Sequence, residues 1–82
     1  MNLYLISQTH NRDYDTYDSA VVVAESAEIA KQMQPSSGEL YTRPSMFDRN
    51  TWADPEYVEV VYLGKADIID ERKVICASFN AG

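Results

Sequence analysis

Asp13, Asp15 and Asp18 form a close carboxylate cluster in a turn-forming stretch of the chain. Oxygen-rich spacing of this kind can hold calcium or magnesium. A calcium loop of the EF-hand type also needs a central glycine and a terminal bidentate glutamate. Tyr14, Thr16 and Tyr17 stand between these aspartates and no glycine does, so turn formation and solvent exposure are the simpler roles. The interleaved Tyr14 and Tyr17 add a second reading. Acids at phosphate-like spacing beside rings that can stack would imitate a nucleic acid; the plainer alternative packs Tyr17 beneath the loop.

Other chemistries lack their parts. His10 and Cys76 are each the sole residue of their type. A Cys/His nucleophilic pair needs an orienting third group, and none is readable nearby. Cys76 sits in an apolar strand pattern, where a buried, inert thiol is expected. Zinc requires more Cys and His than are present, and three scattered glycines make no phosphate cradle. We expect no enzyme activity, no metal and no cofactor.

Charge favours a binding role. Thirteen acidic against seven basic residues give a net charge of −6, which opposes direct contact with a phosphate backbone. It suits docking on a basic surface. Asp13, Asp15, Asp18, Glu25 and Glu28 fall between Arg12 and Lys31 with no basic residue among them. Together with Tyr14 and Tyr17 they make the first candidate partner-binding surface. Tyr41, Phe47 and Trp52 are expected to fold back and complete the small core, since a two-turn helix covers little of a sheet; otherwise they make the second candidate surface.

The chain must hold these residues on one small scaffold. Its 82 residues, 45% hydrophobic and 11% aromatic, match one globular domain, 1–82, near the lower limit for folding without staples. One cysteine allows no internal disulfide, which fits a reducing compartment. The apolar run in Met1–Ser7 is too short for a signal peptide. No apolar stretch approaches the ~20 residues that span a bilayer. A cytoplasmic location is expected, without membrane contact.

Periodicity predicts strands over 3–7, 20–24, 57–63 and 74–79, with Ala20–Ala24 the strongest because it is β-branched. Ser26 is an N-cap for a short helix over 27–33, and Pro35 closes it. A minor strand is compatible with 39–42. The order β-β-α-β-β implies an α+β domain: an antiparallel sheet with one face covered by the helix. Val22, Ile29, Val60 and Ile75 are the expected core, and Val58, Val60 and Tyr62 should share a face.

The segments Met1–Gln8, Tyr14–Val22, Ala24–Ser26 and Ala77–Gly82 resemble a group of small uncharacterised bacteriophage and prophage proteins. The resemblance covers the two ends and leaves 35–73 aside. It implies a mobile-element origin and action inside a bacterial cell. By analogy with small acidic phage proteins, it implies an anti-defence role, including anti-CRISPR inhibition. The expectation is a stoichiometric inhibitor of a host defence complex with a basic surface, with homodimerisation left open. The alternatives are a sponge for a nucleotide signal, using Arg43 or Arg49, and a virion or replication accessory protein.

Overall fold

The computed structural model describes residues 1–12, 15–41, 51–67 and 69–80. Strand β1 runs Asn2–Ser7, β2 Thr16–Ala24, helix α1 Ala27–Lys31, β3 Glu59–Lys65 and β4 Lys73–Asn80, with a 3-10 turn at Pro55–Tyr57 before β3. The sheet order is β3-β1-β2-β4, every neighbour antiparallel. The α+β expectation, four antiparallel strands with a short helix on one face, is therefore met.

The centre of the sheet is the β1–β2 hairpin, in register from Asn2↔Ala24 to Ser7↔Ser19. These strands carry the chain's leading apolar runs, so burial places them inside and leaves β3 and β4 at the edges. Alternation sends Tyr4, Ile6, Ala20, Val22 and Ala24 to one face, where they join Ala30, Met33, Trp52 and Val58 in the core. Helix α1 packs there against β1, β2 and β3.

Ser26 caps α1 as its residue type predicts, its Oγ accepting from the Ile29 N–H at 3.3 Å. The helix is shorter than expected. Gln32 and Met33 close it through N–H donations to the Ile29 and Ala30 carbonyls, a tightened last turn. Met33 then enters an isolated antiparallel bridge with Leu40. That bridge is what the described residues show of the minor strand expected over 39–42.

Two core expectations change at β4. Ile75 is 43% exposed and Cys76 is an exposed thiol. Val22 pairs with Val74 and Val21 with Cys76, leaving Ile75 as an extra residue in a bulge. The bulge resets the alternation, so Cys76 shares the face of Val21, away from the helix. Val22 is fully buried, while Ile29 and Val60 are half-buried at the margin of the core.

Strand β3 also departs from its predicted span. Tyr57 belongs to the 3-10 turn, and Gly64, expected to end the strand, lies inside it. Gly64 sits opposite Leu3, next to a register shift between Leu3 and Tyr4. Its φ of 152° is one that a side chain rarely adopts. Tyr62 faces Tyr4 in an edge contact of 5.8 Å, as the shared-face expectation requires. It remains 57% exposed because β3 is an edge.

Candidate protein-binding surface

The acidic loop begins at a polar anchor. Gln8 is 4% exposed; its Nε2 donates to the carbonyls of Asn11 and Tyr17 at 2.7 and 2.9 Å. Its Oε1 accepts the Asn11 N–H at 2.7 Å. Asn11 in turn donates to the Trp52 carbonyl at 3.2 Å, and His10 stacks on Tyr57 with ring centroids 3.7 Å apart. At the far side, Asp15 adopts a left-handed φ of 63°, which aspartate tolerates. The Asp15 N–H donates to the Asn80 carbonyl at 2.6 Å. The described residues on both sides of this loop are tied to other elements, so the acids there are presented from a fixed base.

The five proposed acids do not form one patch. Asp13 and Tyr14 lie outside the described residues. Asp15 and Asp18 are exposed at the start of β2, and Asp18 is passed over in the β2–β4 pairing, where the register jumps from Tyr17 to Ser19. Glu25 and Glu28 are exposed beyond the other end of β2. From Asp18, the third residue of β2, to Glu25 just past its end the chain rises ~3.3 Å per residue, which separates the two groups by about 23 Å at their nearest. Glu25 also pairs with Arg72 at 3.5 Å. The loop and the helix start thus carry two separate acidic sites, because most of strand β2 lies between them.

The aromatic candidates are largely structural. Tyr17 is half-buried and packs on Phe79 at 4.8 Å between centroids. Trp52 is 2% exposed and sits in the core, which removes it as a docking anchor. Tyr41 packs against the same core, its N–H bonded to the Gln32 carbonyl at 2.7 Å. With one short helix on the sheet, these rings complete the cover that the helix cannot supply. Phe47, Arg43 and Arg49 lie outside the described residues.

The surface that residue-by-residue reading missed is the other face of the sheet. Leu5, Val21 and Val61 are register neighbours across β1, β2 and β3 on the side away from the helix, and Cys76 continues the row on β4. Val61 and Leu63 are each 51% exposed. A shallow depression of about 200 Å³ is lined by Leu5, Ser19, Val21, Cys76 and Ser78 among others. Serines 7, 19 and 78 border the row at one end. Val23, opposite Leu3, is fully buried yet outside the main core cluster, so the other end of this face is covered. The signal was present in Val21-Val22-Val23 and Val60-Val61-Tyr62-Leu63. A half-solvated strand alternates apolar with polar; an unbroken apolar run serves two covered faces.

Among the described residues no three His, Cys, Asp or Glu side chains gather as metal ligands. No helix among them is long and apolar enough to cross a membrane. A further depression of about 440 Å³ lies between the β1–β2 loop and β4, with Arg12 and Asp18 among its lining residues. Fold and site define a small α+β domain with one exposed apolar sheet face and acids at its ends. Comparisons with family models, curated proteins and solved structures return no match to this chain.

Proposed function

We propose that the chain is a phage- or prophage-encoded binding protein that inhibits a host defence complex by stoichiometric contact in the bacterial cytoplasm. A CRISPR–Cas effector is the target class its chemistry suits best. The observation that supports this reading is the sheet face, open among the described residues, that carries Leu5, Val21, Val61 and Cys76, with the exposed Leu63 in the same strand as Val61. Exposed contiguous apolar surface marks interaction sites. Asp15 and Asp18 at one end and Glu25 and Glu28 at the other give the approach a negative field, within a net charge of −6. The fitting partner presents an apolar patch ringed by Lys and Arg, as the rim of a nucleic-acid groove does. Apolar contact would then hold the complex, and charge would guide it.

The test is phage plating on a CRISPR-armed host that expresses either the parent chain or a Val61→Lys, Leu63→Lys variant. These side chains are half exposed, so the variant should melt with the parent. The parent should restore plaques and form an equimolar complex with the purified effector; the variant should do neither. A parent that rescues phage on no armed host would refute the reading. So would a folded variant that rescues as well as the parent.

A further inference from the structure

We propose that β4 is the contact through which two copies of this chain pair edge to edge, joining their sheets into one of eight strands. Seven of its eight residues are exposed, although the strand reads Lys73-Val-Ile-Cys-Ala-Ser-Phe-Asn. Ile75 and Phe79 are 43% and 47% exposed. An edge strand displays unpaired N–H and C=O groups, and proteins guard such edges with charge, proline or cover. The opposite edge carries charge at both ends: β3 has Glu59 and Lys65 there. Strand β4 has a single charge, at Lys73, and no proline or acid. Its bulge displaces only Ile75, and Cys76–Asn80 runs on beyond it.

A second β4 is the occupant that this edge fits. The free groups ask for an extended strand of similar length, and a copy supplies one. The chain's net charge of −6 opposes self-association over most of its surface, whereas β4 brings no negative charge to the seam. Symmetry then restricts the register. Two identical antiparallel strands related by a two-fold axis must place one residue directly opposite itself, because hydrogen-bonded and non-bonded pairs alternate along the ladder. The centre of β4 lies at Cys76–Ala77, so one of these two residues faces its own copy. Either choice opposes seven residues, of which the bulge takes Ile75 out of the alternation, leaving about five or six main-chain hydrogen bonds. That falls within the roughly 10 ± 5 of ordinary interfaces. The axis stands perpendicular to the sheet, so both helices lie on one side and both open apolar faces on the other.

This inference concerns the purified chain alone and stands apart from any host target. Sedimentation across a concentration series should show a monomer–dimer equilibrium. Amide hydrogen exchange should slow at alternate β4 residues by about tenfold as dimer occupancy rises from near zero to nine-tenths, with β3 amides unchanged. Mild oxidation should trap the dimer through Cys76 in the register where Cys76 faces its own copy, since directly opposed residues lie about 4.5–5.5 Å apart, within disulfide reach; with Ala77 at the axis it should leave the dimer unlinked. Cys76→Lys sets like charges against each other at the seam, and should give a monomer that melts like the dilute parent. A chain that stays monomeric throughout the series would overturn the proposal. A dimer whose β4 amides exchange as fast as those of the monomer would overturn it equally, by placing the contact elsewhere.

Discussion

Ile6→Ala and Ile75→Ala form a matched pair that tests the register of the whole sheet. Both residues are isoleucines in apolar strand segments, and sequence pattern alone would send both inward. In the structure Ile6 is fully buried and Ile75 is 43% exposed. Ile6 lies between Ala20 on β2 and Val60 on β3, side chains too small to swing into the space its truncation would leave. Loss of a large buried aliphatic costs about 2–5 kcal/mol, the more so where neighbours cannot collapse, so we expect about 3–4 kcal/mol here. For a domain of this size, that is a large part of a total near ~4–12 kcal/mol. It should lower Tm by about 12–30 °C. Ile75, the bulge residue, should cost no more than ~0.5 kcal/mol at concentrations where the chain is monomeric. Urea and thermal unfolding followed by circular dichroism read both values. Equal losses for the two variants would refute the bulge and with it the assignment of faces on β4.

Three further outcomes follow from the same geometry. Gln8→Ala strips three hydrogen bonds from a buried site and strands the carbonyls of Asn11 and Tyr17; urea unfolding should show a loss of about 2–3 kcal/mol, and a neutral result would mean the loop does not depend on that anchor. The exposed Cys76 thiol should react with a thiol reagent in the dilute native chain at nearly the denatured rate, whereas slow native labelling would return it to the core. Asp15→Asn with Asp18→Asn keeps a residue type that tolerates the left-handed turn while removing two charges. Association with the host target should slow, and the deficit should fade with added salt; an unchanged on-rate across a salt series would rule out steering by this end of the molecule.

The parts of the fold governed by local chemistry were readable in advance. Ser26 caps its helix, the β-branched run at Val21–Val23 is a central strand, and the element order gives the α+β class. What could not be read is what depends on pairing. Whether Ile75 points inward is decided by one extra residue opposite Val21 and Val22, and no residue type announces a bulge there. Likewise, Asp18 and Glu25 look like neighbours along the chain because a continuous strand hides its own length. Trp52 in an irregular segment suits a core or an interface by composition, but the shortness of the helix, which leaves part of the sheet to be covered by other residues, already favoured the core where it lies.

The misread strand is also the informative one. If Ile75 and Cys76 had been buried as their sequence suggests, β4 would be an ordinary apolar strand and nothing about it would call for a partner. Their exposure turns the same residues into surface with no covering element in the described chain. Adding helix length would not cure this, since α1 sits over the opposite face and toward the opposite edge. The proposed partners would supply that cover: a strand for the edge of β4, and an apolar patch for the face that Leu5, Val21 and Val61 share with Cys76. The two demands are compatible. Edge pairing leaves both open faces on one side of the joined sheet, so self-association would double the apolar platform offered to a target without consuming it. The acids at the two ends of β2, about 23 Å apart by strand length, then act at the rim. There, in the proposed complex, they would add to the rate of encounter and little to the strength of the contact.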